Sequence, residues 1–231
     1  MKLLLFDVDL TLVNTGGAGL RALDEAFREV LGVAGATEGV TPHGKTDPAI
    51  IREVCLARSL SLDPDVDSIV NRIVERYVHF LEKEVVNTPK YRVLPGILEI
   101  LEEVDQREDV LTGLATGNVE AGARLKLERG GLNRYFSFGG YGSDSEERAE
   151  VVRTGARAGE ALNGVRIAPE DVFVIGDTPL DVAAGKLAGF STVAVATGGF
   201  GLEELAGTEA DLVITDFSEG RDQFLRSIRI V

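Results

Sequence analysis

The sequence predicts an α/β fold, in which a doubly wound parallel sheet carries helices on both of its faces. Short apolar runs without polar alternation recur along the chain, and such runs are typical of strands buried on both faces of a parallel sheet. From about residue 91 onward these runs alternate with helical patterns, which is the βαβ order of a parallel sheet. Residues 16–86 break this order with helical patterns only, so we predict a helical insert after the first strand.

The first predicted strand is the apolar run 3–6, and Asp7 and Asp9 follow it at its carboxyl end. Open α/β sheets bind their ligands at this end of the strands. Two carboxylates held together in a partly buried pocket destabilise a fold unless something neutralises them, and a divalent cation is the simplest such group. We therefore predict a metal site that also holds a nucleophile. Because Asp is common where strands end, the pair alone would also fit an ordinary acidic turn.

The helical insert contains three amphipathic patterns, in which apolar residues recur at helical spacing. They cover residues 20–31, 50–56 and 69–81. The loop 40–46, with the sequence VTPHGKT, precedes the second predicted helix and carries His43 and Lys45. Gly and Pro in the linkers 14–17 and 87–92 predict a hinge at each end of the insert.

The next strand-like run, residues 110–115, ends in Thr116, Gly117 and Asn118 before a helical segment at 119–129. A hydroxyl group and the backbone N–H groups at a helix N-terminus together form a ready anion site. We therefore predict that this turn binds an anionic group of the ligand.

The remaining predicted elements continue the alternation. They are a strand at 136–139, a helix at 146–162 and strands at 172–175, 193–196 and 212–214. Asp177 lies at the tip of the strand 172–175, and Asp181 follows in the first turn of a helix that Pro179 can begin. Because the strand tips of a parallel sheet converge on one edge, we expect acids from two strands and the anion site from a third to form one pocket.

Composition restricts the partners of this protein. The chain has 231 residues, of which 38 are acidic and 24 basic, and the net charge of −14 argues against binding to nucleic acid or anionic membranes. No window approaches the roughly 20 apolar residues of a membrane span, and the apolar run 3–6 is too short for a signal peptide. The single Cys55 excludes an internal disulfide and fits a reducing compartment, so we expect a cytoplasmic protein.

The segments DVDLT at 7–11, ATGN at 115–118 and GDTPLD at 176–181 each lie at a predicted strand end. In this order they resemble the motifs of the haloacid dehalogenase superfamily of phosphohydrolases, and the resemblance extends over the whole chain. It implies a phosphatase similar to phosphoglycolate phosphatases, which uses Mg²⁺ and an aspartyl-phosphate intermediate. The expected partner is a small phosphorylated metabolite.

The same resemblance implies two domains. Residues 1–15 and 90–231 would form a Rossmann-like core, and residues 16–89 would form a helical cap that closes over the pocket. His43 and Lys45 lie in a cap loop that could reach the part of the substrate remote from its phosphate. They are therefore candidate substrate-binding residues.

The resemblance also gives the motif acids their roles. Asp7 would be the nucleophile, and Asp9 would protonate the leaving alkoxide and later activate water. Mg²⁺ would be held by Asp7, Asp177 and the backbone carbonyl of Asp9. Asp181 would complete the metal site by orienting a bound water.

The anion site would then bind the transferring phosphate. The resemblance implies that Thr116, the N–H of Gly117 and Asn118 contact phosphate oxygens, which become more negative as transfer proceeds. The superfamily also uses a lysine to offset this charge, and Lys126 is our candidate. Arg148 is the alternative, because the segment that more commonly carries this lysine has none here.

The resemblance leaves other activities open. True dehalogenases typically lack an acid two residues after the nucleophile, so Asp9 favours phosphoryl transfer. A phosphonate hydrolase would use a cap lysine as a Schiff base, and Lys45 lies in the right segment. A sugar-phosphate mutase similar to β-phosphoglucomutase keeps both acids, and a noncatalytic anion-binding module could share the fold. The sequence names neither the substrate nor the oligomeric state.

Overall fold

The computed structural model describes residues 1–60 and 66–229; residues 61–65, inside the predicted cap, and residues 230 and 231 lie outside the described part. The described strands are β1 (Lys2–Phe6), β2 (Val13–Asn14), β3 (Arg92–Val93), β4 (Val110–Thr116), β5 (Gly139–Tyr141), β6 (Val172–Gly176), β7 (Ser191–Val195) and β8 (Leu212–Ile214). Within this part of the chain, the main sheet has six parallel strands in the order β5-β4-β1-β6-β7-β8. The predicted α/β fold class is therefore confirmed.

The described helices lie between these strands in the chain. They are α1 (Ala18–Leu31), α2 (Asp47–Ala57), α3 (Val66–Asn87), α4 (Ile97–Asp105), α5 (Glu120–Glu128), α6 (Arg148–Asn163), α7 (Pro179–Ala188), α8 (Leu202–Ala206) and α9 (Arg221–Ser227). The first three belong to the helical insert, by which we mean residues 16–89.

The central strand β1 explains why the sheet is covered on both faces. Its successive side chains point to opposite faces, and all of its leucines and Phe6 are fully buried. Leu4 and Phe6 belong to one apolar cluster with residues of α4, α5 and α9. Leu3 and Leu5 belong to a second cluster with residues of α6 and α7. An apolar run without alternation is what this two-sided burial requires.

The helical insert has an apolar cluster of its own. Phe27 of α1, Ile51 of α2, and Ile73 and Leu81 of α3 are fully buried in it. The single Cys55 is also buried there, as a small apolar side chain of α2. No helix in residues 1–60 and 66–229 is long and apolar enough to cross a membrane.

The bounds of one predicted strand were wrong. The strand predicted at 136–139 is β5 at Gly139–Tyr141, because only these residues pair with β4, while Phe136 and Phe138 are buried as core side chains. The linkers of the insert also contain a short antiparallel ribbon, in which β2 pairs with β3. Strands of two residues have no periodicity that a sequence pattern could reveal.

Candidate active site

The carboxyl ends of β1, β4 and β6 face the helical insert across a cavity of about 470 Å³. The chain leaves these strand ends through Asp7, Asn118 and Asp177, all of which line the cavity. Ile50 of α2 is among the residues that line it from the insert. The three predicted motifs therefore meet at one edge of the sheet, as adjacent parallel strands require.

Asp7, Asp177 and Asp181 form a buried acidic cluster. Each contributes one carboxylate oxygen to a group in which all the oxygens lie within 4.8 Å of one another, a spacing that could hold a metal ion. Arg148, the first residue of α6, donates a hydrogen bond to Asp181, and its Nη2 lies 3.6 Å from Oδ1 of Asp7. The guanidinium offsets part of the negative charge of this cluster.

The remaining charge shifts the titration of two of these acids. Burial, followed by the negative charge of Asp181, raises the pKa of Asp7 to about 7, although Arg148 acts in the opposite direction. Burial, followed by the charges of Asp181 and Asp7, raises the pKa of Asp177 to about 9. In the absence of a further cation, the cluster therefore holds protons at neutral pH.

Asp177 has one oxygen that the protein leaves without a donor. Thr11 donates to its Oδ1 at 3.4 Å, whereas its buried Oδ2 has no hydrogen-bond partner among the described residues. The backbone of Gly198 lies against this oxygen, and a Cβ at that position would come within 1.7 Å of it. A buried carboxylate oxygen without a partner is costly, so this position suits a cation.

Both side-chain oxygens of Asp181, unlike those of Asp177, accept hydrogen bonds from the protein. Its Oδ2 accepts hydrogen bonds from the N–H of Thr178 at 3.1 Å and from the Thr178 hydroxyl at 2.7 Å, which is the capping box that begins α7. Its Oδ1 accepts from Arg148. The predicted role of Asp181, to orient a water of the metal site, stays a prediction.

Asp9 stands apart from the buried cluster. Leu10, the next residue, has a left-handed backbone with φ of 57°, a conformation that costs energy in a bulky residue and often marks a functional turn. The Asp9 side chain is 40% exposed, against 10% for Asp7. Its Oδ2 accepts hydrogen bonds from Lys126 Nζ at 2.5 Å and from Asn118 Nδ2 at 2.9 Å.

The two candidate cations both lie in the site, beside different acids. Lys126 of α5 is buried and contacts Asp9 and the side-chain oxygen of Asn118, whereas Arg148 contacts Asp7 and Asp181. Burial alone would lower the pKa of the Lys126 ammonium, but Asp9, Tyr77 and Asp47 together outweigh this effect and raise it. Both side chains therefore stay charged at neutral pH.

The predicted anion site is a turn with an internal hydrogen-bond network. The Thr116 hydroxyl accepts from the backbone N–H and the side-chain amide of Asn118, at 3.3 and 2.8 Å. The same hydroxyl lies beside Asp7 and lowers the pKa of that carboxyl. The carbonyl of Gly117 accepts the backbone N–H of Asp47 at 2.7 Å, so the turn is in direct contact with the insert.

His43 and Lys45 of the insert also line the cavity. The ring of His43 packs edge-on against Phe200 with centroids 6.4 Å apart. The ammonium of Lys45 forms an ion pair with Glu53. Lys45 is therefore at the predicted place, but its charge is partly neutralised there.

Several cavity residues were not identified from the sequence. Asp47 and Tyr77 enter from α2 and α3 of the insert, and Lys90 and Arg92 enter from its second linker. Burial raises the pKa of Asp47 to about 6, although the nearby Lys126 lowers it. Asp47 is the first residue of α2 and Tyr77 is a buried apolar-face residue of α3, which are ordinary roles of such residues, so no sequence pattern distinguishes them.

A family model described as haloacid dehalogenase-like hydrolase matches residues 4–195. The match covers the second half of β1, the helical insert and every motif residue of the cavity. It agrees with the order of motifs from which the resemblance was predicted.

Proteins with a similar sequence or fold agree with this family match. A phosphoglycolate phosphatase of Aquifex aeolicus is 27% identical over 202 residues, which are 83% of this chain and 83% of that protein. A Clostridium perfringens protein provisionally named pyrophosphatase PpaX is 24% identical over 221 residues, 93% of this chain and 92% of its own. The crystal structure of a hydrolase from Pseudomonas syringae has the same fold, with a TM-score of 0.75, 19% identity and coverage of 98% and 99% of the two chains.

Proposed function

Because the chain belongs to the haloacid dehalogenase-like hydrolases, we propose that it is a Mg²⁺-dependent phosphatase of a small phosphorylated metabolite. One observation carries this proposal. Asp7 lies in the buried acidic cluster, whereas Asp9, two residues later, lies outside it and opens to the cavity. Two neighbouring carboxyl groups in such different surroundings suit two different roles, a nucleophile and an acid and base.

The buried cluster fits a divalent cation. The carboxylates of Asp7 and Asp177 would hold it together with the backbone carbonyl of Asp9, and the unpartnered Oδ2 of Asp177 supports this assignment. Asp181 would hold Arg148 and the start of α7 in place beside it. When bound, Mg²⁺ supplies positive charge that offsets the carboxylates and the substrate phosphate.

The first step is a displacement at phosphorus by Asp7. One of its carboxylate oxygens forms a bond to phosphorus while the ester P–O bond breaks, and the leaving oxygen takes the proton of Asp9. Lys126 and Asn118 hold the Asp9 side chain in place for this transfer. The products of this step are the free alcohol and an aspartyl phosphate.

Water completes the reaction with the same residues in reverse roles. Asp9, now a carboxylate, takes a proton from water as the water oxygen attacks phosphorus. The bond between phosphorus and the Asp7 oxygen breaks, which releases inorganic phosphate and restores the Asp7 carboxylate. Asp9, which acts first as the acid and then as the base, is therefore protonated again at the end of each cycle.

The phosphate oxygens need donors throughout both steps. The turn Thr116–Gly117 offers a hydroxyl and backbone N–H groups. Lys126, which lines the cavity, offers an ammonium group. Arg148 also lines the cavity, and its guanidinium places positive charge beside Asp7, which suits a transferring phosphoryl group.

The experiment that tests this proposal measures phosphate release from a panel of phosphate esters, with Mg²⁺ and with a chelator in its place. We expect turnover with Mg²⁺ only, and a phosphoenzyme that hydroxylamine cleaves. Asp7→Asn should remove both, whereas Asp105→Asn, an exposed change at the end of α4, should retain both. Turnover in the chelator, or a phosphoenzyme in Asp7→Asn, would contradict the proposal. Isomerisation of a sugar phosphate without net phosphate release would favour the mutase instead.

A further inference from the structure

The mechanism above gives no role to Asp47, an acidic residue that lines the cavity from the insert. Asp47 is the first residue of α2, and two hydrogen bonds fix it against the phosphate-binding turn. Its Oδ2 accepts the backbone N–H of Val119 at 2.9 Å, and its own N–H donates to the Gly117 carbonyl at 2.7 Å. The position of this carboxylate relative to the turn is therefore well defined.

The second carboxylate oxygen of Asp47 is a free acceptor. It has no hydrogen-bond donor within residues 1–60 and 66–229, and the half-buried Asp47 lines the cavity. The nearby ammonium of Lys126 is held by Asp9 and Asn118 and forms no hydrogen bond with Asp47. A carboxylate in a ligand cavity with an unused oxygen attracts a donor and repels an anion.

The hydrogen bonds between Asp47 and the turn place Asp47 next to Asn118, the residue that donates to Asp9. The charges of Lys126 and Asp9 both act on Asp47, and Asp9 is the proposed proton donor to the leaving oxygen. The neighbouring wall is apolar, since Leu23 and Ile50 line the cavity and are nearly fully buried. This part of the cavity thus combines one negative acceptor with aliphatic side chains.

We propose that Asp47 determines substrate specificity by binding a hydrogen-bond donor, a hydroxyl or ammonium group, on the alcohol part of the phosphate ester. The inference rests on the phosphatase function proposed above. Substrates that place a carboxylate or a second phosphate against Asp47 meet a like charge and are disfavoured. The substrate class is a hydroxyalkyl or aminoalkyl phosphate, and phosphoglycolate and pyrophosphate fall outside it.

The test compares kcat/KM for four esters in the presence of Mg²⁺. O-Phosphoethanolamine offers an ammonium, glycerol 3-phosphate offers hydroxyl groups, n-propyl phosphate offers neither, and phosphoglycolate offers a carboxylate. We expect at least one of the two donor esters to exceed n-propyl phosphate, and phosphoglycolate to fall below it. Because a hydrogen bond to a charged group is the difference between the esters, we expect kcat/KM to differ by roughly 10- to 100-fold in each comparison.

The variant Asp47→Asn keeps a side-chain oxygen for the N–H of Val119 and removes the charge. It should lower the ratio of kcat/KM for the better donor ester to kcat/KM for phosphoglycolate by roughly 10- to 100-fold. The kcat/KM for n-propyl phosphate should change little. Because each ratio is compared on the same pair of esters, the acidity of the leaving groups cancels. Asp67→Asn is the matched control, because it removes the same charge from α3 of the insert, where the side chain is 80% exposed.

The outcomes separate this inference from the proposed function. Absence of turnover on all four esters overturns both. Two outcomes overturn the inference alone: kcat/KM ratios that Asp47→Asn does not change, and equal losses on all four esters. In either case Asp47 is only a contact between the insert and the turn. A wild-type preference for phosphoglycolate also overturns the inference, and would place the substrate anion against Lys90 and Arg92. Where the variant does not fold, the wild-type comparison of phosphoglycolate with n-propyl phosphate still decides, because phosphoglycolate has the more acidic leaving alcohol and should nevertheless react less well.

Discussion

Substitution of Asp177 by Asn should stabilise the metal-free protein while it removes the response to Mg²⁺. Burial and the charges of Asp181 and Asp7 raise the pKa of Asp177 from 3.8 to about 9. The folded protein therefore binds a proton at Asp177 in the pH range in which the unfolded chain has released it. Asn carries no such proton, so it avoids this cost of folding.

The sign and the size of the effect follow from proton linkage. Because the pKa is raised on folding, this contribution to stability is fully present below pH 3.8 and is lost as the pH rises toward about 9. Each pH unit in this window corresponds to about 1.4 kcal/mol. The free energy of unfolding of the Asp177→Asn variant should therefore exceed that of the wild type by up to about 4 kcal/mol at pH 7, and by less than half of this at pH 5.

The assay is urea denaturation of both proteins in a chelating buffer, repeated at several pH values between 5 and about 8. Asp105→Asn serves as the control, because it removes the same charge from an exposed position. The denaturation is then repeated with an excess of Mg²⁺, which should stabilise the wild type and the control by binding to the folded state. The Asp177→Asn variant should gain little from Mg²⁺ and should lack phosphatase activity.

Two results would refute the reasoning. A difference in unfolding free energy that does not change with pH would show that Asp177 does not hold a raised pKa in the folded protein. Equal stabilisation of the wild type and of Asp177→Asn by Mg²⁺ would place the cation elsewhere. Either result would also remove the unpartnered oxygen as support for a metal site.

Three further variants, one of them with a matched control variant, test other parts of the site. Asp9→Asn should lower kcat on an alkyl phosphate by roughly 10²–10⁴-fold, and less on an aryl phosphate whose leaving group needs little protonation; equal losses would contradict its role as the acid. Lys126→Met should lower kcat/KM by at least about 10-fold, because the buried ammonium no longer holds Asp9, and wild-type kinetics would exclude it from the site. Gly44→Ala should lower kcat/KM because the new Cβ would lie 2.7 Å from the Thr178 hydroxyl and push the insert away. Gly39→Ala is its control and should retain activity, because Gly39 has a similar left-handed backbone but no atom within 4 Å of the position of a Cβ. Both glycine variants should lose about 1–2 kcal/mol of stability in urea denaturation, and equal kinetic losses would contradict the steric argument.

The sequence alone determined the fold class and the position of the acids. A run such as Leu3–Phe6 can be buried on both faces only in a covered sheet, so its lack of alternation already predicted the central strand. Asp7 follows such a run directly, and Asp177 follows another after a single glycine. Since parallel strands end at a common edge, their approach followed from chain order and strand direction without any distance being known.

The sequence did not decide between Lys126 and Arg148, because the choice depends on distances across the sheet. The order β4-β1-β6 puts α5 on the Asp9 side and the start of α6 beside Asp7 and Asp181, so each cation has its own partners. A linear pattern contains neither the strand order nor the direction in which a helical side chain enters a cavity. The two cations were therefore treated as alternatives, although the site contains both.

The tertiary structure alone identified the contribution of the insert. Asp47 and Tyr77 occupy positions that local physics explains fully, as a helix start and as part of an apolar stripe, so nothing in the sequence distinguishes them. Their place in the cavity arises from the docking of the insert on the turn at Gly117. Local periodicity determines which residues form strands and helices, since each depends on neighbours in the chain. Contacts between distant segments determine which side chains meet a ligand, and those contacts exist only once the chain has folded.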